Sequence, residues 1–134
     1  MIADEVVDFL AFIGVGTAGI DIFANNMPDS PDTCVCVYDV NTWRLAAGSA
    51  LAMDNQGVTI DIRSNDMLDV KAKFKIIRNN LMAFGGKLNV GGQEVTHVDC
   101  DVAPTLIGAD QDKRYLWTSR WRLLVESDGD VYRN

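Results

Sequence analysis

The sequence predicts an α+β fold, a mostly antiparallel mixed sheet with two helices packed on one face. Two stretches repeat apolar residues at helical spacing, one near the N-terminus and one in mid-chain. The segments between and after them alternate apolar and polar residues at spacing two, and glycines and prolines fall at the junctions. Strand runs interrupted by isolated helices suit α+β architecture rather than a wound parallel sheet. With 134 residues, the chain is expected to form a single domain, 1–134, large enough for a real core.

The first helix spans about Ile2 to Ile13. Ile2, Val6, Phe9, Leu10 and Ile13 form one buried stripe. Asp4, Glu5 and Asp8 lie towards the end where carboxylates complement the helix dipole. Gly14 closes the helix, because glycine takes the left-handed conformation at low steric cost. Ile20 to Phe23 reads as a strand, and Pro28 and Pro31 frame a fixed corner in MPDSPDT. Cys34 to Val40 is a nearly continuous apolar run, expected to be covered on both faces like a central strand. Residues 41–56 lack a clean period and fit a short helix or a long hairpin excursion. On a projecting arm, Trp43, Leu45, Leu51 and Met53 would make a partner surface; otherwise they fold back onto the core.

Val58, Ile60 and Ile62 alternate with Thr59, Asp61 and Arg63, the pattern of a half-exposed strand. A second helix starts within SNDMLD, with Ser64, Asn65 or Asp66 as N-cap. Val70, Phe74, Ile77 and Leu81 make its stripe, Met67 extends it backwards, and Lys71, Lys75 and Arg78 lie beside it on the solvent side. Phe84-Gly85-Gly86 stops it. Gly91-Gly92 suggests a tight two-residue hairpin turn. A strand from about Thr96 to Ile107 and a polar turn from Gly108 to Lys113 lead to the clearest strand. There Tyr115, Trp117, Ser119, Trp121, Leu123 and Val125 share one face, and Leu116, Thr118, Arg120, Arg122, Leu124 and Glu126 the other. Twelve residues is long for a strand, so part of it is expected to extend beyond the core as a platform for contacts. The polar tail SDGDVYRN is expected to fray.

The charge balance narrows the function. Net charge is −7 and the basic residues are scattered, whereas a nucleic-acid binder needs a basic stripe to neutralise phosphates. Lys71, Lys73 and Lys75 cannot share a helix face, since residues two apart point about 200° apart. No apolar window is long enough for a membrane span, and the N-terminus lacks the cationic-then-apolar pattern of a secretory signal. Cys34 and Cys36 fall in an apolar run and Cys100 in another expected strand, and the three read as reduced core thiols.

No catalytic constellation stands out. Gly14, Gly16 and Gly19 spell G-x-G-x-x-G, but dinucleotide binding needs those glycines after a strand and before a helix, and here the order is reversed. His97 is the single histidine, so a Ser-His-Asp or Cys-His site would have to use it; Cys100, three residues on, points to the other strand face. Cys34, Cys36, His97 and Cys100 could in principle bind zinc, but their spacing does not suit a structural site. Asp99 and Asp101 share a strand face, and Asp110 and Asp112 sit in a turn; solvated aspartates account for both pairs. An EF-hand loop starting at Asp110 would put Tyr115 at the glycine position and Trp121 at the glutamate position. There is no G-x-x-x-x-G-K phosphate loop. No catalytic site, metal or cofactor is expected.

Taken in order, VVDFL, GVGTAGIDIF, NMPDSPDTCVCVYD, VTIDIRSNDMLDVKAKFKIIRNNL, KLNVGGQEV and YLWTSRWRLLVE resemble the minor capsid proteins that act as tail terminators in long-tailed bacteriophages. The likeness covers nearly the whole chain: Gly14 to Phe23, the Pro28–Asp32 corner, the strand Val35 to Asp39 ending in Tyr-Asp, and a closing strand with Trp117 and Trp121 four apart. The turn ADQDKR departs by lacking a glycine. The resemblance implies a tail-terminator-like fold and a structural role. Six copies would ring and cap the tail tube, stop its polymerisation, and present a surface to the head connector and neck proteins. DNA would only pass through the lumen, without specific binding, and no membrane is involved. The place is the virion tail or neck, with assembly in the bacterial host cytoplasm. Trp43, Arg44 and Leu45 in the arm, Asp61 and Arg63 on the exposed strand face, and Arg120 and Arg122 are the expected interface residues. The rival readings are another neck or head-completion connector, and a small hydrolytic enzyme using His97 and Asp99.

Overall fold

The computed structural model describes residues 2–40, 43–44, 53–88 and 92–126. In chain order the elements are α1 (Ala3–Phe12), β1 (Ile22–Ala24), β2 (Cys34–Asp39), β3 (Trp43–Arg44), β4 (Met53–Ser64), α2 (Met67–Leu81), β5 (Gly86–Lys87), β6 (Glu94–Ala109) and β7 (Tyr115–Glu126). One curled mixed sheet runs β1-β2-β4-β7-β6-β5, with β3 paired to β4 off this path. Only β1–β2 is parallel; the other pairs are antiparallel. This is the expected α+β class.

Both helices bury their stripes in one core. Ile2, Val6, Phe9 and Leu10 come from α1 and the residue before it, and Val70, Phe74, Ile77 and Leu81 from α2. They pack on Val35, Val37, Val58, Ile60, Ile62, Trp121, Leu123 and Val125 of the sheet. Phe9 also meets Phe84 edge-on, with ring centroids 4.9 Å apart. Among the described residues no helix is long and apolar enough to cross a membrane.

The termini of α1 are held in two different ways. At its end, Gly14 has φ +90° and donates to Ala11 O, while Val15 donates to Leu10 O. That is the paired closure a glycine at this position allows. At its start, Ile2 provides no side-chain cap. The cap comes instead from β2: Asp39 Oδ1 accepts from both Ile2 N and Ala3 N at 2.9 Å. Asn25 clasps the same aspartate, giving Nδ2 to Asp39 Oδ2 and accepting from Asp39 N, each at 2.9 Å. One carboxylate therefore fixes the helix start, the exit of β1 and the end of β2. α2 is capped locally by Asp66, one of the three candidates, which accepts from Leu68 N.

Several boundaries differ from expectation for visible reasons. Ile20 is not in a strand but 66% exposed, because Thr17 O gathers the amides of Ile20, Asp21 and Ile22 into a turn. β4 begins at Met53, five residues before the alternating pattern, and its first residues pair with β3 and β7. Trp43 and Arg44 face Asn55 and Asp54 in a hairpin; the remainder of that excursion, residues 45–52, lies outside the described residues. A two-residue Gly91-Gly92 turn would set Lys87 opposite Thr96. Lys87 instead pairs with Glu94, so the connection spans residues 88–93, of which 89–91 lie outside the described residues. The turn without a glycine solves its geometry by placing Lys113 at φ +61°.

β6 has an unusual edge. β5 covers only Glu94 and Val95, so beyond them its outer side has no paired strand among the described residues. Pro104 and four register shifts against β7 interrupt that edge.

Asp39→Ala should lower stability by about 1–2 kcal/mol, the usual cost of a lost helix cap. Urea unfolding followed by circular dichroism measures it, and an unchanged midpoint would show that the cap carries no weight.

Candidate assembly interface

The sheet's second face is polar, and the proline corner covers its β2–β4 part. Cys34, Cys36, Asp61, Arg63 and Thr118 share this face, because each pairs directly across the ladder: Cys34 with Arg63, Cys36 with Asp61, Asp61 with Thr118. The corner at residues 25–33, which includes a cis Ser30–Pro31 peptide, lies over it. Cys36 Sγ donates to Asn26 O at 2.9 Å, and the Thr33 and Ser64 hydroxyls meet at 3.1 Å. Two arginines clamp the corner. Arg63, 6% exposed, donates to Pro31 O at 2.7 Å and to Asp32 O at 3.4 Å. Arg114, also 6% exposed, donates to Asp29 O at 2.6 Å and to Asp110 Oδ2 at 2.8 Å, with Asp32 and Asp112 carboxylates at 3.5 and 3.4 Å.

The charges here follow from that packing. Burial pushes the Cys34 and Cys36 thiols up. Burial also raises Asp61, against the hydrogen bond from Thr118. The Asp110 carboxyl is held below the usual range, first by the Arg114 backbone amide and then by the Arg114 guanidinium and the Asp112 amide. Asp110 is thus the cradle of a turn and the partner of Arg114.

The β6–β7 ribbon carries an exposed stretch. From Asp101 to Ile107 every residue of β6 is exposed, and Val102, Leu106 and Ile107 are 43%, 42% and 59% exposed. Asp101 sits between two arginines, 2.8 Å from Arg122 Nη2 and 3.8 Å from Arg120 Nε. His97 Nε2 lies 2.9 Å from Asp99 Oδ1, with both side chains more than half exposed. Where the ribbon passes α2, a groove of about 610 Å3 opens, floored by Phe74, Trp117 and Trp121 and bordered by Lys71, Lys75 and Arg78.

These features describe a scaffold with outward apolar and charged surfaces. The sequence model of the bacteriophage tail terminator protein family matches residues 9–125. The chain belongs to that family. No curated protein matches it by sequence. Among solved structures, a chain from the virion of a native gene transfer agent particle superposes with a TM-score of 0.60 at 14% identity. The match covers 93% of this chain and 96% of that one, a likeness of fold. The terminator is accordingly a phage structural protein of the virion tail, assembling with other phage structural proteins.

The expected interface residues of the terminator fall into three groups. Trp43 and Arg44 sit on the short strand β3, and Leu45 lies outside the described residues. Arg120 and Arg122 are on the outer face of the ribbon, engaged with Asp101. Arg63 does not present a solvent face: it is buried beneath the corner and holds it, whereas Asp61, on the same side of the sheet, is half-buried and accepts from Thr118. The zinc candidates do not come together. Cys34 and Cys36 lie under the corner, Cys100 lines the groove and His97 is paired with Asp99. The Gly14–Gly19 loop is filled by the chain's own Asp21, whose carboxylate accepts from Thr17 N at 2.6 Å. Sequence reasoning missed Arg114. Its signal was an arginine following two turn aspartates, with a second Asp-rich corner far away in sequence.

Arg63→Ala should cost about 1.5–3 kcal/mol, the range for hydrogen bonds to a charged group. It should also speed labelling of Cys34 and Cys36 by a thiol reagent at neutral pH; labelling no faster than in the wild type would show that the corner does not guard them.

Because Asp110 is held below its unfolded value, its stabilising contribution is complete above about pH 4 and is lost as pH falls through its lowered value. Asp110→Asn should flatten the acid side of the stability-versus-pH curve. An acid slope identical to wild type would remove this assignment.

Proposed function

We propose that this chain closes into a ring of like subunits, a hexamer, that caps the completed tail tube and stops its polymerisation. The outer surface of the ring then receives the head connector or neck proteins. The β6–β7 ribbon supports this reading best: it carries exposed Val102, Leu106 and Ile107 away from the core, in a chain otherwise rich in surface charge. Exposed apolar groups gathered on a projecting element suit contact with a partner. A closed ring needs a heterologous contact, one patch meeting a different patch on the neighbour. Trp43, Arg44 and Leu45, and Arg120 and Arg122 on the ribbon, are the residues offered to that contact. Half-buried Asp61 on the polar face is offered as well, and Arg63 takes part by holding the corner. The net charge of −7 favours non-adhesive passage of DNA through the lumen. On this reading the chain is not an enzyme, needs no cofactor, and is assembled in the host cytoplasm.

Adding the protein to polymerising tail-tube subunits should shorten the tubes and leave a cap at one end in electron micrographs. Trp43→Ala should abolish ring formation and capping while leaving helix content intact. Tubes of unchanged length, with the protein bound instead to portal or adaptor rings, would assign it to another part of the neck.

A further inference from the structure

We propose that the outer face of α1 in one copy docks against α2 and its groove in the next copy, an assignment that rests on the ring reading above. Two complementary surfaces carry it. Lys71, Lys75 and Arg78 recur at i, i+4 and i+7 on α2, so they line one side of that helix, and all three are exposed. Among the described residues none of them meets a carboxylate, whereas neighbouring Lys73 is paired with Asp69 at 2.9 Å. In a chain of net charge −7, three such cations in a row invert the local field. They border the groove, whose apolar wall is built by Phe74, Met82, Pro104, Trp117 and Trp121.

α1 offers the counterpart. Asp4, Asp8 and Phe12 recur at i, i+4 and i+8 and are all exposed, Phe12 at 87%. The two carboxylates are spaced like Lys71 and Lys75, about 6 Å along the helix axis. Laid side by side, the carboxylates of one helix meet the cations of the other, and Phe12 supplies an apolar side chain for the groove. The outer face of α1 does not meet the groove within one chain, because α1 packs on β1 and β2 while the groove lies between α2 and the β6–β7 ribbon, towards the opposite end of the sheet. A second copy is therefore the occupant. The contact is head-to-tail, which is the kind that closes rings, and its ion pairs should weaken with salt.

Charge reversal tests it with surface variants that leave the core intact. One variant carries Asp4→Lys and Asp8→Lys; the other carries Lys71→Glu, Lys75→Glu and Arg78→Glu. Circular dichroism first establishes that each is folded, and Phe12→Ser serves as a charge-independent third variant. Association is read by size-exclusion chromatography with light scattering, or on tail tubes if the wild-type chain assembles only there. Each reversed variant alone should associate roughly a hundredfold more weakly than wild type, because like charges now face each other. An equimolar mixture should recover assembly, since each interface then regains opposite charges. Phe12→Ser should also weaken association. If wild type assembles and the reversed variants assemble equally well, or their mixture recovers nothing, the docking is overturned and the ring stands. If wild type assembles neither alone nor on tubes, the ring reading falls and the docking with it.

Discussion

The antiparallel ladder between β4 and β7 is the constraint on which the rest depends. Twelve consecutive residue pairs join Met53–Ser64 to Tyr115–Glu126 without a register shift. Because side chains alternate, this one register decides the side of every residue on the two strands. It sends Val58, Ile60, Ile62, Trp121 and Leu123 towards the helices and Asp61, Arg63, Thr118, Arg120 and Arg122 to the other face. A slip of a single residue would drive two arginines into the helical core. Trp121 and Ser119 show how closely the ladder is filled: the indole donates to the serine hydroxyl at 2.8 Å, and that hydroxyl donates to Ile60 O at 3.0 Å, so neither polar group is orphaned beneath the helices.

The polar face poses a different physical problem. Two arginines are buried there, and buried cations are tolerable only when paired and hydrogen-bonded. The corner meets that requirement with backbone carbonyls of Asp29, Pro31 and Asp32 as well as carboxylates. Arg63 near the end of β4 and Arg114 just before β7 do the same job, since those strands are neighbours in the sheet although the two arginines are about fifty residues apart in sequence. Asp39 repeats the logic at the other end of β2. In both places a charged side chain ties together backbone groups that lie far apart in sequence.

What could be read from the sequence follows from the range of the forces involved. The stripes of α1 and α2, the left-handed closure at Gly14, the Asp66 cap and the two faces of β7 are local patterns, and each is found where periodicity put it. The β4 start, the β3 pairing and the connection after β5 depend on partners distant in sequence, and there the reading drifted. Arg63 illustrates the limit best. Alternation correctly gave its side of the sheet, but no local pattern says that thirty residues upstream a corner will fold over it. The Asp39 cap is hidden for the same reason: a helix whose own N-cap residue is isoleucine looks uncapped until the strand that supplies the carboxylate is in place.

The unpaired edge of β6 bears on the choice of neighbour rather than on architecture. A virion tail protein that assembles with other structural proteins must avoid pairing with the wrong neighbour. A long, straight, open strand would be a standing invitation to zip up edge to edge with the wrong neighbour. The register shifts and Pro104 deny that template, since a kinked strand with a missing amide cannot be matched along its length. The same irregularities leave the side chains of Val102, Leu106 and Ile107 outward and available. Recognition is thereby left to shape and side-chain chemistry, which can be specific, and withheld from the backbone, which cannot.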